Sequence, residues 1–364
     1  MTVRASVMSA PGEPLEVRSL PDPEPEPGEV LLQTVASEVC GTDVHLWHGR
    51  LSGVPYPIVP GHVSVGRVAE TRGVERDALD RPLAVGDLVT FLDVVGTCHE
   101  CYQCAVAGQP NRCPSRRVYG ISLPVEGGPY GGWAEWIRLR PDVRILKLPE
   151  GVGAERLIGG GCGLFTGFAA VERSGLRMGD TVLVQGSGPV GLSATAFARL
   201  RGASRVIVIG DPAARLELAR AFGAETVFSL SATSEVERRE AVLELTDGRG
   251  VDAAVEAAGQ PDAVREGLPL VRDGGRYVVA GHYTDTGSLS LNPHLQVNRK
   301  HAEVVGQWGT DFRHLVGALR MLEREGDALP FERVIGGRYR LDEAEQALRD
   351  VEELRVTKAV IVPG

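Results

Sequence analysis

The stretch from Thr181 to Asp211 constrains this chain more than any other. TVLVQ is a short continuous apolar run, the pattern of a strand buried on both faces. GSGPVG follows at once, supplying Gly186, Gly188, Pro189, Val190 and Gly191, and LSATAFARLRG then spaces its apolar residues for a helix. RVIVIGD reads as a second buried strand, ending in Asp211, 20 residues after Gly191. G-x-G-x-x-G by itself is a weak signal. Set between a strand and a helix, with an acidic residue at that distance, it is the fingerprint of a dinucleotide site. Gly186 permits the tight turn, Gly188 lets backbone approach a pyrophosphate at the positive end of the helix, and Gly191 lets helix and strand pack closely. The Asp211 carboxylate is suited to accept from the ribose hydroxyls and would repel a 2′-phosphate, so NAD is expected over NADP. Arg215 nearby works against that preference.

The alternation continues downstream. RLELARAFGA, VERREAVLELTDG and PDAVREGLPLVRDGG read as helices, and TVFSL, VDAAVEAAG, RYVVAGH and EVVGQ as strands. Strands alternating with helices of this length imply an α/β unit with a doubly wound parallel sheet. Up to about residue 150 the texture differs. PDPEPEPGEV cannot be helix, because its prolines remove donors and disfavour helical backbone. VLLQTVAS, VSVGRVAET and DLVTFLDV are strand-like pieces separated by turns, so this part is expected to be an irregular, mostly β domain. After residue 305, GTDFRHLVGALRMLEREG and YRLDEAEQALRDVEE read as amphipathic helices and RVTKAVIV as a closing strand, a tail expected to return to the first domain. A length of 364 residues suits two domains.

The segment VCGTDVHLWHGRLSGVPYPIVPGHVSVG gathers Cys40, Thr42, Asp43, His45 and His62. Thiolate and imidazole are the ligands zinc prefers, and two do not complete a site. Cys162, in GGGCGLFTG, is the candidate third. Three protein ligands leave a fourth position open for water or substrate, the catalytic form. Cys98, Cys101, Cys104 and Cys113 follow the spacing C-x2-C-x2-C-x8-C, which can wrap one tetrahedral metal in a closed, structural site. Structural zinc is expected there, an iron–sulfur cluster being the competing metal. The chain has six cysteines, so four in one site and two in the other leave none over.

The net charge of −9, with no cluster of Lys or Arg, argues against a nucleic-acid partner. The longest apolar runs are too short to cross a bilayer, and the first residues lack the basic-then-apolar pattern of a signal peptide, so no membrane association and a cytoplasmic location are expected.

Taken together, CGTDVH, GHVSVG, the four-cysteine lobe, CGLFTG, GSGPVG and Asp211 resemble, in order and over nearly the whole chain, the medium-chain, zinc-dependent alcohol dehydrogenase family. CGTDVHLWHGR looks especially like the sorbitol and polyol dehydrogenase branch, although that branch usually supplies a glutamate where Cys162 stands. The resemblance implies a GroES-like catalytic domain over 1–162 and 306–364, with a zinc lobe at about 96–115, and a Rossmann NAD-binding domain over 163–305, with a cleft between them. It implies two Zn2+ per chain, one held by Cys40, His62 and Cys162. It also implies hydride transfer between a secondary alcohol or polyol and NAD, with Thr42 contacting the substrate oxygen and His45 passing its proton to solvent. Asp43 is expected to orient His62, Thr166 and Val190 to pack against the nicotinamide, and Lys358 to meet the pyrophosphate. Relatives form homodimers or homotetramers, so a homo-oligomer acting on a small alcohol or ketone is expected. A carbonyl reductase in a biosynthetic pathway and a catalytically impaired NAD(H)-binding relative are the alternatives. The second rests on Val63, which follows His62 where the family usually has glutamate. By position Trp47, Leu51 and Phe165 could line the pocket, and each could equally belong to the core.

Overall fold

VLLQTVASEV, rich in β-branched and apolar residues, forms the ten-residue strand β1 (Val30–Val39) in the computed structural model, which describes residues 2–364. It pairs antiparallel with β2 (Ser64–Thr71) on one side and with the strand Lys358–Ile361 on the other. Leu88–Phe91, Trp136–Leu139, Ile145–Lys147 and Ile335–Tyr339 complete a seven-stranded sheet. The C-terminal segment is thus stitched into the sheet that carries Cys40, with Val360 opposite Glu38.

Between these strands lies α1 (Gly41–Trp47). Seven residues are too few for a helix stable by itself. Cys40 caps it: its sulfur accepts from the Thr42 N–H at 3.3 Å, while Asp43 Oδ2 accepts from the Cys40 N–H at 2.9 Å. Val44, Leu46 and Trp47 anchor its buried face in a core with Met8, Ile58, Trp133 and Leu348. Full burial of a side chain such as Leu46 or Ile58 contributes about 1.5–3 kcal/mol. Trp47 is therefore a core residue, its Nε1 donating to the Glu13 carbonyl, which decides between the two placements its sequence position allowed.

α2 (Ala154–Arg173) is broken at Gly161, where φ is +53° and ψ −142°. That glycine ends the first compact unit, which also takes in Asp311–Gly326 and Phe331–Gly364; the second consists of Cys162–Thr310 and Asp327–Pro330.

The second unit holds six parallel strands: β3 (Thr181–Gln185), β4 (Arg205–Gly210), β5 (Thr226–Ser229), β6 (Val251–Glu256), β7 (Val271–Val279) and β8 (Glu303–Gly306). Their spatial order, β5-β4-β3-β6-β7-β8, reverses direction beside β3, as in a doubly wound sheet. Helices α3 (Pro189–Leu200) and α4 (Ala213–Ala221) follow β3 and β4. One boundary differs from the sequence reading. The helix expected over PDAVREGLPLVRDGG stops at Gly267, a short 3-10 turn covers Leu268–Leu270, and β7 already begins at Val271. Pro269 lacks the N–H that would continue the helix. No helix among the described residues is long and apolar enough to cross a membrane.

Candidate metal and dinucleotide site

Two groups of side chains have the chemistry of metal centres. In the first, donor atoms of Cys98, Cys101, Cys104 and Cys113 all lie within 4.8 Å of one another. The Cys113–Cys98 and Cys101–Cys113 sulfur separations are 3.6 and 4.0 Å. These are far beyond a disulfide bond of about 2.05 Å. They bracket the edge of a zinc–thiolate tetrahedron, about 3.8 Å for bonds of about 2.3 Å. Backbone N–H groups reinforce the cradle: Cys98 donates to the Cys113 sulfur at 3.4 Å and Cys101 to the Cys98 sulfur at 3.3 Å. The N–H of Cys98 is the main reason the Cys113 thiol is held down to about 6. The loop between the cysteines leaves Tyr102 and Val106 exposed. A lobe with its apolar residues turned outward has little core, so a closed ion suits it.

In the second group, Cys40, His62 and Cys162 come together, joined by Glu38. Cys162 follows Gly161 directly, so one peptide bond ties it to the unit that holds the others. Cys40 Sγ and His62 Nε2 are 4.0 Å apart, slightly wider than the tetrahedral edge of about 3.6 Å for a shared zinc. Cys40 and His62 are buried. A soft, partly anionic N/S set of this kind fits zinc.

Asp43 departs from its expected role. Its Oδ1 stands 3.9 Å from His62 Nδ1, too far for a hydrogen bond, and neither atom has a hydrogen-bond partner. The other oxygen is drawn to the Cys40 N–H by the cap of α1. Asp43 therefore positions Cys40 directly and faces His62 without a hydrogen bond. Its carboxyl is pushed well up by burial, with the Cys40 charge adding to the effect.

Thr42 and His45, three apart on α1, share its half-buried face. The His45 imidazole is shifted down from its usual value, first by burial and then by Arg50, whose Nη1 is 3.4 Å from Nδ1. Lys358 is not where a pyrophosphate ligand is expected. It is 1 % exposed and its Nζ sits 2.5 Å from Glu38 Oε2, because the final strand places it within the sheet beside β1. Glu38 itself was missed. The sequence did contain a signal: an acid inside the strand-like run VASEVC, with a lone lysine inside TKAVIV.

The dinucleotide turn has the geometry its glycines require. Gly186 has φ +107°, and a Cβ there would meet the backbone of Ala257 at 2.8 Å. A Cβ on Gly191 would lie 1.8 Å from the Gly186 carbonyl oxygen. Gly188 caps α3 with open space where its Cβ would project, which leaves the helix's first N–H groups accessible to an anion. Pro189 occupies the first turn, where its missing N–H costs nothing. Asp211 follows β4; its Oδ1 accepts from Ser229 Oγ at 2.7 Å and its Oδ2 from the Ser231 N–H at 2.8 Å. Arg215 is 8 % exposed on α4, and burial lowers its guanidinium, so it offers no open charge to a 2′-phosphate. Thr166 lies on α2 between Gly163 and Gly167, whose missing side chains let this helix approach Pro189, Val190 and Ser193 of α3. Phe165 is buried.

A parallel sheet with a glycine turn for a dinucleotide, together with a buried thiolate–imidazole group, defines a metal-dependent nicotinamide oxidoreductase. Residues 26–150 match the alcohol dehydrogenase GroES-like domain, and residues 189–324 match the zinc-binding dehydrogenase domain. The 5-exo-hydroxycamphor dehydrogenase of Pseudomonas putida is 33% identical over 360 residues, covering 98% of each chain. An alcohol dehydrogenase from Thermotoga maritima superposes with a TM-score of 0.95 at 34% identity, covering 100% of both chains. A zinc-binding dehydrogenase from Sinorhizobium meliloti, solved with NADP bound, gives a TM-score of 0.87 at 28% identity, again covering 100% of both chains. The chain belongs to the zinc-dependent medium-chain alcohol dehydrogenase family. It is an enzyme, an oxidoreductase of CH–OH donors that depends on zinc and a nicotinamide dinucleotide.

Proposed function

We propose that the chain interconverts a secondary alcohol or polyol and its carbonyl compound with NAD, and that Cys40, His62 and Cys162 hold the catalytic zinc. The observation that carries this is the convergence of these three donors from the N-cap of α1, the turn before β2 and the break in α2. When bound, the metal supplies Lewis acidity toward an alcohol oxygen and the nicotinamide accepts the hydride. Thr42 Oγ1, on the half-buried face of α1, takes up the hydroxyl proton of the substrate. His45 receives it on its ring and releases it to solvent, a task its lowered basicity suits near neutral pH. Gly186, Gly188 and Gly191 shape the pyrophosphate turn, Asp211 holds the ribose hydroxyls, and Thr166 and Val190 flank the nicotinamide.

Cys98, Cys101, Cys104 and Cys113 hold a second, structural zinc in this reading, giving two per chain. The division of labour is a catalytic part over 1–162 and 306–364 and a coenzyme part over 163–305. The strand β8, at one end of the parallel sheet, is the edge through which a homo-oligomer would pair. Six free cysteines suit a reducing, cytoplasmic compartment.

The test is metal analysis together with a panel of secondary alcohols and polyols offered with NAD and with NADP. Two zinc equivalents and turnover with NAD are expected. Cys40→Ala should lose one equivalent and all alcohol oxidation while still binding NADH. Full activity in that variant would sink the zinc assignment.

A further inference from the structure

The carboxylate of Glu38 has no part in the steps above, yet it lies inside the metal group. It is 0% exposed at the end of β1. Oε1 is 3.2 Å from His62 Nε2, the ring nitrogen that also faces the Cys40 sulfur. An ion bound to an imidazole nitrogen and a carboxylate oxygen at ordinary zinc distances separates them by about 3.4 Å. Oε2 is held by the buried ammonium of Lys358. The two oxygens therefore face different partners, one the donor group and the other a fixed cation.

The space for this carboxylate is built. A Cβ on Gly161 would stand 1.9 Å from Glu38 Oε2 and 2.8 Å from Lys358 Nζ. Only a glycine immediately before Cys162 leaves room for the pair, and its φ of +53° carries the same requirement. Position 63 is also informative. The Glu38 N–H donates to the Val63 carbonyl at 3.1 Å, so the two residues are backbone neighbours across adjacent segments. The Val63 side chain carries no donor atom, and the carboxylate at this place is that of Glu38 on β1.

Building on the zinc assignment proposed above, we propose that Glu38 is a fourth protein donor to the catalytic zinc, with Lys358 holding its second oxygen. The fourth position is then shared. Glu38 Oε1 closes it in the resting protein, and a substrate oxygen competes for it. Lys358 keeps the displaced carboxylate beside the site, ready to return. Glu38 acts as a ligand and gate, and Lys358 as its positioning residue.

The experiment compares wild type, Glu38→Gln and the double variant E38Q/K358M, which removes both buried charges at once and so avoids leaving Lys358 without a counter-charge. Each is loaded with cobalt for its visible spectrum and with zinc for release to a chelator. In both variants the cobalt bands should shift, and one zinc equivalent should leave about 10- to 100-fold faster than in wild type. Unchanged bands and unchanged release would make Glu38 only the counter-ion of Lys358 and overturn the proposal. Cys40→Ala, measured alongside, separates the two readings: if it keeps both zinc equivalents, the zinc assignment itself fails and this proposal goes with it.

Discussion

Gly163 and Pro189 leave each other no room for a side chain: a Cβ on Gly163 would stand 2.7 Å from the Pro189 carbonyl carbon. The residue after Cys162 is thus pressed against the first turn of α3, so one helix contact positions both Cys162 and the glycine turn. Gly163→Ala should push α2 from α3, at a cost of about 1–3 kcal/mol for overpacking. The expected outcome is a lower melting temperature together with an NADH dissociation constant raised at least about tenfold. Calorimetric melting and fluorescence titration of NADH check both. A variant that melts lower but binds NADH as wild type does would detach the glycine from cofactor binding.

Asp211 is fixed by Ser229 and Ser231 with both oxygens already hydrogen-bonded, so its carboxylate is preorganised. Hydrogen bonds to a charged group contribute about 1.5–3 kcal/mol. Asp211→Ala should therefore lower kcat/KM for NAD about 10- to 100-fold. It should improve the use of NADP, since the repulsion of a 2′-phosphate goes with the charge. Steady-state kinetics with both cofactors give the ratio, and a ratio that does not move would place cofactor choice elsewhere.

The parallel sheet was legible in the sequence because its signals are local. Buried strands, glycine turns and helical periods repeat within windows of ten to fifteen residues, and the site glycines fall inside one of them. The four-cysteine lobe was legible for the same reason. Glu38 was not, because what makes it matter is its pairing with Lys358, 320 residues away. An acid in a strand ordinarily reads as solvent-facing, and nothing local shows that both faces of β1 are covered. Asp43 was misjudged for a related reason: from sequence, a carboxylate near a ligand histidine suggests a ring partner, whereas the short helix α1 claims it as a cap. For Trp47 the sequence left pocket wall and core equally open, and the apolar face of α1 claims it for the core.

The four-cysteine lobe should matter for stability. Its loop exposes Tyr102 and Val106 and relies on sulfur and backbone contacts for its shape. Cys104→Ser should remove one zinc equivalent and open the segment to proteolysis, while the metal held near Cys40 stays. Zinc content and the mapped cleavage sites are the measurements. Retention of two equivalents with an uncut lobe would show that three sulfurs suffice.

As the proposed proton carrier, His45 should set the pH dependence of oxidation. Burial, and then the Arg50 cation, lower its basicity below the ordinary value of 6.5. The neutral ring, the form that can accept a proton, therefore persists to lower pH than in free histidine. The acid limb of kcat for alcohol oxidation should accordingly fall below pH 6.5. The same shift carries a sign for stability. As pH drops through 6.5 the unfolded chain takes up this proton before the folded one does, so His45 makes the fold less stable toward acid. His45→Asn should remove that acid limb and slow oxidation about 100-fold or more at neutral pH, within the usual reach of general acid–base catalysis. Arg50→Met, which withdraws the cation but keeps the imidazole, should instead move the limb upward toward the ordinary histidine value. A profile that keeps the wild-type acid limb in His45→Asn would assign the proton path to another group.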